Sequence, residues 1–323
     1  YELNDLKKSS FYFERSLNIF PNSQIIINNY AITLQSLGEF DKAIKIFKNL
    51  IKLNPNNVKA HYRLFRMNFK NFENNYLDKI KSLSIKANLS LEDNGLINFI
   101  ISRYQKDKNI KNEIKYLHSA HKNQFDSNLV YNTKLNEYHI NILAKNFSKL
   151  DFLKKNKKFN LLKHKKPIFI IGLPRSGSTL IETLLVQNEK ECYSYGESSI
   201  FETSIFSQIK KNIFIKDFDY QIFPEAKFIH TFRDKFENAI AIYKSMLIYL
   251  PWTHSIDNIS KYISNYEKVI DYFKRKYPDK ILDVKLEDFT NNPNIHSKRI
   301  YDFCNLHFTD NVLRFHNKRN LVS

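Results

Sequence analysis

Residues 167–180 read PIFIIGLPRSGSTL, an apolar run followed by a polar loop with a glycine at each end. The run Pro167–Ile171 is short and rich in β-branched residues, which is typical of a strand buried in a parallel sheet. The apolar spacing of Thr179–Val186 predicts a helix directly after the loop. The stretch therefore predicts a strand, a tight loop and a helix in succession.

The loop Gly172–Thr179 has the spacing Gly-x-x-x-x-Gly-Ser-Thr, a P-loop frame in which Ser178 stands where nucleotide-binding proteins carry lysine. Backbone amides and a helix N-terminus meet in such a frame, and both favour an anion. The missing lysine disfavours ATP hydrolysis, because that lysine contacts the β- and γ-phosphates. Arg175 offers a planar pair of donors instead. An ordinary strand–turn–helix connection would not need two glycines, so we predict an anion-binding loop.

Glycine is scarce in this chain, with 5 among 323 residues. Average usage of about 7% would give more than twenty. Where glycine is this rare, each one is expected at a position whose backbone geometry requires it. Three of the five lie within Gly172–Gly196, which again singles out the region around the loop.

The N-terminal part repeats with a period of 34 residues, which is that of the tetratricopeptide repeat (TPR). In one unit a helix is predicted over Ile25–Leu37, a turn at Gly38–Phe40 and a second helix over Asp41–Leu53. Small Ala43 is expected to let the helices approach, and Phe47 to fill the groove between repeats. The residues that recur at this period are Ser9 with Ala43, Phe13 with Phe47, and Pro21 with Pro55.

Further helices are predicted on both sides of this unit. Only the second helix of a preceding unit, about Leu3–Phe20, is present, while Val58–Asn71 and Asn94–Phe147 keep helical periodicity as degenerate or capping helices. The chain begins at Tyr1 and not at a methionine. We therefore expect a fragment truncated at its N-terminus, which leaves the presence of a targeting signal open.

After residue 166 the predicted strands and helices alternate, which indicates a parallel sheet that binds ligands at the carboxyl ends of its strands. The further elements are strands over Lys227–Thr231 and Lys280–Val284 and helices over Glu237–Leu250 and Ile295–Cys304. The expected fold class is α plus α/β. A TPR-like helical repeat domain is expected at residues 1–150, a basic linker at 151–166, and a P-loop-like α/β domain with a parallel sheet at 167–323.

The chain carries 51 Lys and Arg residues against 33 Asp and Glu, a net charge of +18. The basic residues are spread along a chain rich in Lys, Asn and Ile, so nucleic-acid binding would rest on charge alone and is not predicted. No apolar run reaches the roughly 18 residues of a membrane helix. Cys192 and Cys304 lie far apart and predict neither a disulfide framework nor a metal site, which suits the cytoplasm.

Pro174–Leu180 resembles the 5′-phosphosulfate loop of the sulfotransferases that use 3′-phosphoadenosine 5′-phosphosulfate (PAPS). The chain is similar to bacterial TPR-containing sulfotransferases and, more distantly, to tyrosylprotein sulfotransferases. The resemblance covers about Lys166–Ser323, and the helical part fits the same domain arrangement. The other segments that match in order are Tyr195-Gly196-Glu197, Phe223–His230, Phe232-Arg233-Asp234, Pro251-Trp252, Ile281–Val284 with Glu287-Asp288, and Phe303-Cys304 with Arg314-Phe315-His316.

The resemblance implies sulfuryl transfer from PAPS to a hydroxyl or amine acceptor, without a metal. It implies that Glu197 is the catalytic base, that Arg175 acts on the transferred group, and that Arg233 holds the 3′-phosphate. The residues implied for the 5′-phosphosulfate are Pro174, Arg175, Ser176, Gly177, Ser178, Thr179 and Leu180. A peptide or protein acceptor bound through the TPR-like domain is one option, and small molecules, lipids and glycans stay open.

Each of these roles has a plainer alternative. Glu197 could be a surface residue, although a carboxylate near the loop can take a proton from an attacking hydroxyl. Arg233 could form an ion pair with Asp234 or Glu237, although it follows a predicted buried strand, where a ligand charge would lie. The residues expected to be structural are His230 and Trp252.

Several departures from the family pattern bear on activity. Only 30 residues separate Glu197 from Phe228, and the family's Asp-Lys motif, whose lysine contacts the transferred group, has only the reversed Lys216-Asp217 in its place. Ala241 stands where the family has a phosphate-binding serine, and Leu286 where relatives often have tyrosine. The sequence also ends where the family's cofactor-closing segment would begin. Loss of one preorganised donor at developing charge commonly costs about 10²–10³ in rate.

Two other functions stay open. The departures favour a TPR interaction scaffold with a catalytically silent sulfotransferase domain, whereas the intact loop and Glu197 disfavour it. A P-loop kinase or NTPase would need the missing lysine and an acidic strand end for Mg²⁺. The sequence therefore favours the sulfotransferase.

Overall fold

Helices and one small parallel sheet make up the described part of the computed structural model, which covers residues 6–68, 74–85, 88–142, 145, 166–187, 192, 194 and 225–317. Contacts divide the chain into two compact units. The first contains residues 1–133, 246–254 and 319–323, and the second contains residues 134–245 and 255–318. The segment Met246–His254 thus belongs to the first unit, although it follows the second strand along the chain.

The described elements in the N-terminal part of the chain are all helices. Its helices are α1 (Leu6–Ile19), α2 (Gln24–Ser36), α3 (Phe40–Leu53), α4 (Val58–Asn68), α5 (Asn74–Ser84), α6 (Leu91–Gln105), α7 (Ile110–Asp126) and α8 (Leu129–Glu137), followed by a π-helical turn at Tyr138–Ile142. The predicted pair of helices is confirmed by α2 and α3. Between them Gly38 has a φ of +77°, a left-handed conformation that glycine adopts without strain.

Small side chains allow the first helices to pack closely. Ala31, Ala43 and Ala60 are fully buried on α2, α3 and α4. Phe47 and Leu50 of α3 fill the core between them, also fully buried. Burial of such a large apolar side chain contributes about 1.5–3 kcal/mol. Ala43 and Phe47 therefore serve the packing roles that the repeat pattern predicts.

The second unit is built on a sheet of three strands, β1 (Ile168–Gly172), β2 (Lys227–Phe232) and β3 (Ile281–Lys285), in the order β1–β2–β3. Both neighbouring pairs are parallel, so the predicted α/β architecture is confirmed. Its further helices are α9 (Ser178–Leu185), α10 (Lys235–Ser245), α11 (Ile256–Lys276), α12 (Leu286–Asn291) and α13 (Pro293–Cys304). One apolar core joins the sheet to α9 and α13, with Leu184, Ile229 and Tyr301 fully buried.

The helix predicted over Glu237–Leu250 is wrong at its C-terminal end. Helix α10 ends at Ser245, because Met246 adopts a left-handed φ of +50° that stops helical propagation. A short 3₁₀ helix, Pro251–His254, follows instead. This segment belongs to the first unit, where Met246 and Trp252 are almost fully buried.

The sequence interpretation missed α11, a helix of 21 residues. Its composition is polar, and its buried isoleucines are widely spaced at positions 259, 263 and 270. These positions nevertheless lie on one helical face, which is the signal that could have revealed the helix. Among the described helices, α11 included, none is both long enough and apolar enough to cross a membrane.

Candidate functional site

The site is built where the three parallel strands end. Gly172 lies opposite Thr231, which in turn lies opposite Val284, so the strands reach the same edge of the sheet in register. The loop 173–177 leaves β1 at this edge, Arg233 follows β2, and Glu287 follows β3 within α12. The parallel sheet therefore places the loop and Arg233 at the ends of two neighbouring strands, as the strand pattern predicts.

The loop begins α9 through a left-handed residue at each of two positions. Gly177 has a φ of +100° and precedes the first residue of the helix. A Cβ at this glycine would lie 2.8 Å from Leu286 Cδ1, so a side chain there would be strained and crowded. Arg175 has a φ of +67°, which is unfavourable for a residue with a Cβ and costs about 1–3 kcal/mol. The surrounding contacts must hold this conformation in place.

Several donors of the loop have no partner in the described part of the chain. The amides of Gly177, Ser178 and Thr179 meet no backbone acceptor there, whereas those of Leu180 and Ile181 donate to the Gly177 carbonyl. Consecutive N–H groups at a helix start that lack an acceptor are able to bind an anion. The nearby Arg175 side chain is exposed, and its guanidinium makes no ion pair with any described residue. Amides and guanidinium are thus both open to a ligand.

Ser176 has a different environment from the loop's other polar residues. Its side chain is almost fully buried, and its hydroxyl lies 2.8 Å from the Thr231 hydroxyl. Its amide donates to the Leu173 carbonyl over 3.1 Å. Thr231 donates to the Ile171 carbonyl at 3.3 Å, so Ser176 donates to Thr231. The structure therefore directs the Ser176 hydroxyl into the protein and onto β2.

A second contact holds the preceding part of the loop. The side-chain amide of Asn238, buried on α10, donates to the Pro174 carbonyl over 2.9 Å. Gly172 leaves room for the neighbouring Ser176 contact, because a Cβ at this glycine would lie 2.4 Å from Thr231 Oγ1. Sequence reasoning missed Thr231 and Asn238. Two features of the sequence could have revealed them: Thr231 is a polar residue within an apolar strand, and Asn238 is a polar residue beside the apolar run of α10.

Arg233 lies between two carboxylates at the end of β2. Its Nη2 is 3.4 Å from Glu237 Oε2, and its Nε is 3.5 Å from Glu287 Oε1. Both distances are longer than a good hydrogen bond, and the Arg233 Nε is buried without a hydrogen-bond partner in the described region. The ion pair with Glu237 was an alternative that the sequence suggested, whereas the Glu287 contact was not foreseen.

Asp234, the other partner considered for Arg233, caps a helix instead. Its Oδ1 accepts from the amides of Phe236 and Glu237 at 2.9 and 3.0 Å, at the start of α10. Position 241 on the same helix carries only a methyl group, so no hydroxyl is offered there. Of the two carboxylates considered as partners for Arg233, only that of Glu237 contacts it.

His230 lies in the interior, away from the free donors. Its Nδ1 donates to Asp283 Oδ1 over 2.7 Å, and Lys274 Nζ donates to Asp283 Oδ2 over 2.7 Å. Burial raises the pKa of the Asp283 carboxyl, but the hydrogen bonds from His230 and Lys274 outweigh it, and the pKa is lower than usual. These contacts fasten α11 to β2 and β3, which agrees with a structural role for His230.

Other predicted residues lie elsewhere. Glu197 and Lys216-Asp217 are outside the described residues. Trp252 is buried in the first unit, where a structural role was expected. Among the residues that the structure describes, no group of three or more His, Cys, Asp or Glu side chains lies close enough together to hold a metal.

Comparison with protein families agrees with this geometry. Residues 167–213 and 209–310 match the sulfotransferase family, and residues 26–57 match the tetratricopeptide repeat. Together the two sulfotransferase ranges extend from the start of β1 through the loop and Arg233 to the residues after α13. The tetratricopeptide match covers most of α2 and all of α3. Searches of the curated proteins and of the solved structures found no match.

Proposed function

Because the chain is a sulfotransferase-family protein that carries a tetratricopeptide repeat, we propose that it transfers a sulfuryl group from PAPS to a hydroxyl or amine acceptor. The observation that carries the proposal is the group of free donors at one sheet edge. Three loop amides and the exposed Arg175 are open, with Arg233 at the end of the adjacent strand. Donors at two places suit a ligand with two anionic groups.

The loop would hold the 5′-phosphosulfate. The amides of Gly177, Ser178 and Thr179 would bind its oxygens, and Arg175 would stabilise the charge that develops as the sulfuryl group moves. Pro174 and Leu180 would support the two ends of the loop, while Ser176 would act through its bond to Thr231. Removing one such donor typically costs about 10²–10³ in rate.

Arg233 would bind the 3′-phosphate. Its guanidinium now faces Glu237 and Glu287 at long distances, and a phosphate could replace these contacts with shorter, charge-assisted bonds. The guanidinium is mostly buried, with 22% of the side chain exposed, so its charge is weakly screened. This arrangement would distinguish nucleotides with a 3′-phosphate from those without one.

Glu197 would act as the general base. The acceptor oxygen or nitrogen would attack sulfur in line, its bond to sulfur forming as the bond from sulfur to the 5′-phosphate oxygen breaks. The acceptor's proton would pass to Glu197, and adenosine 3′,5′-bisphosphate would leave. Turnover of the Glu197→Gln variant near the parent rate would remove Glu197 from this role.

Calorimetric titration with adenosine 3′,5′-bisphosphate tests the proposal first. The parent should bind saturably, and the Arg175→Ala variant should lose most of that affinity. Arg275→Ala, a change at an exposed arginine on α11, is the matched control and should bind as the parent does. ATP should bind more weakly, because the loop lacks the lysine of ATP-binding proteins. No binding by the folded parent would contradict the proposal.

A second candidate function is that of an interaction scaffold. Two observations favour it: Ala241 offers no hydroxyl to a phosphate, and the Arg233 guanidinium already contacts the carboxylates of Glu237 and Glu287. A cavity of about 420 Å³ between α1, α2 and α3, lined in part by Leu17 and Ile27, offers the helical unit a place for a peptide. Peptide binding without any nucleotide binding would favour the scaffold. We also propose a reducing, cytoplasmic compartment, because two cysteines far apart along the chain predict no disulfide framework.

A further inference from the structure

One residue of the loop has an unfavourable backbone conformation. Arg175 lies in the left-handed region, where a residue with a Cβ is disfavoured. A free loop would relax out of this conformation, and a ligand would then have to restore it at a cost in affinity. Some contact outside the loop must therefore supply the restraint.

Two buried side chains supply it, one on each side of the strained residue. Asn238 donates to the carbonyl of Pro174, directly before Arg175, over 2.9 Å. Thr231 accepts from the hydroxyl of Ser176, directly after Arg175, over 2.8 Å. The two side chains come from different elements, α10 and β2, so the loop is held from two directions.

Neither Thr231 nor Asn238 can itself bind a ligand from solvent. Thr231 is 1% exposed and Asn238 is 2% exposed, and both polar groups are already used within the protein. Any effect of these residues on the ligand must pass through the loop. Gly172 is part of the same arrangement, because a Cβ there would lie 2.4 Å from the Thr231 hydroxyl and 2.5 Å from the Ser176 hydroxyl.

We propose that Thr231 and Asn238 are positioning residues that hold the loop ready for an anion before the anion binds. The identity of that anion, the 5′-phosphosulfate, rests on the proposed function. The restraint fixes Arg175 and the three free amides in one arrangement, so the ligand does not have to order them. Loss of either hydrogen bond should therefore weaken binding without removing any atom that touches the ligand.

The first measurement is the Kd for adenosine 3′,5′-bisphosphate. Thr231→Val and Asn238→Leu keep side-chain volume and remove the hydrogen bond, and each should raise the Kd about 5- to 20-fold. Thr231→Ser keeps the hydroxyl and should bind within about twofold of the parent. The matched controls are Thr33→Val and Asn265→Leu. Thr33 donates to the Asn29 carbonyl and Asn265 to the Ile140 carbonyl, so each control removes one side-chain hydrogen bond that does not involve the loop.

A double-mutant cycle separates a direct bond from general destabilisation. Ser176→Ala should raise the Kd as much as Thr231→Val does, and the double variant should be little worse than either, because both changes break the same bond. If Thr231→Val fails to fold, Ser176→Ala still removes that bond from the loop side. Folded Thr231→Val and Asn238→Leu variants that bind as tightly as the parent would overturn the proposal, as would additive effects in the cycle.

Hydrogen exchange provides a readout that needs no nucleotide. The Ser176 amide donates to the Leu173 carbonyl within the loop, so its exchange reports how often the loop opens. In the free protein this amide should exchange at least about fivefold faster in Thr231→Val and Asn238→Leu, and at the parent rate in Thr231→Ser and both controls. Unchanged exchange in the two folded variants would overturn the proposal. If the parent binds no nucleotide, the proposed function fails, but this exchange experiment still decides the role of Thr231 and Asn238.

Discussion

His121 of α7 and His254 of the Met246–His254 segment meet ring to ring in the interior of the first unit, with their Nδ1 atoms 2.9 Å apart. One ring must donate and the other accept, so one of these two nitrogens carries a proton and the other does not. Phe125, also on α7, packs edge-on against His254. Burial lowers the pKa of His254 to about 4 from an ordinary 6.5. The hydrogen bond between the two rings therefore attaches the Met246–His254 segment to α7, and acid should weaken it.

Stability should fall as the pH falls from about 6.5 toward 4. The unfolded chain binds a proton at His254 in this range and the folded chain does not, so protonation favours unfolding by about 1.4 kcal/mol per pH unit. Denaturant unfolding at pH 7, 6 and 5 measures this slope. His254→Phe should make the slope shallower without abolishing it, because burial also lowers the pKa values of His61 and His139. An unchanged slope in the folded variant would contradict this prediction.

Gly177→Ala should destabilise the α/β unit by about 2–4 kcal/mol. The substitution places a Cβ on a backbone with a φ of +100° and within 2.8 Å of Leu286 Cδ1, so strain and crowding add. Thermal unfolding without ligand measures the effect. Ser178→Ala, one residue later at the start of α9, is the control and should change stability by less than about 1 kcal/mol. Equal stability of the two variants would mean that the loop adapts.

Glu287→Gln should strengthen binding of adenosine 3′,5′-bisphosphate. The Glu287 carboxylate lies 3.5 Å from Arg233 Nε and opposes a second anion at the same cation. We expect a three- to tenfold lower Kd that depends on salt, and no change for 5′-AMP, which lacks the 3′-phosphate. Glu237→Gln is the matched control; its side chain is 61% exposed, against 34% for Glu287, so its effect should be smaller. If Glu287→Gln lowered the Kd for both nucleotides, the 3′-phosphate would have to bind elsewhere.

Ala241→Ser should also strengthen binding of the bisphosphate, about 5- to 20-fold. A hydroxyl at this position would add one hydrogen bond to a charged phosphate held by Arg233. Ala239→Ser places the same group two residues earlier on α10, where the side chain is likewise half-buried, and should leave the Kd unchanged. Titration of both variants measures the difference. No gain from Ala241→Ser would argue against a 3′-phosphate beside this helix.

The sequence predicted the elements whose signals are local. The strands β1, β2 and β3 were found because each is a short apolar run, and the repeat was found because its residues recur at a fixed period. The loop was found because two scarce glycines frame it. The end of α10 was predicted wrongly, because nothing in the apolar sequence around Met246 indicates its left-handed conformation.

The contacts that shape the site have no local signal. Ser176 and Thr231 are 55 residues apart along the chain, and Pro174 and Asn238 are 64 apart. Each pair meets only because β1 and β2 are parallel and in one particular register. Glu287 likewise reaches Arg233 from the adjacent strand's end. A single sequence predicts which residues enter the loop, but the partners that hold it follow from strand pairing.

The path of the chain through the two units has a consequence for how the protein is inherited and engineered. Ser245 and Ser255 belong to one unit, while the nine residues between them belong to the other. No single cut divides the gene into two self-sufficient modules, because a C-terminal half would carry Met246 and Trp252 away from the residues that enclose them. Exchange of the C-terminal half between relatives should yield insoluble chimaeras unless the helical half is transferred with it. We therefore expect the repeat and the sulfotransferase-family domain to be kept together during evolution.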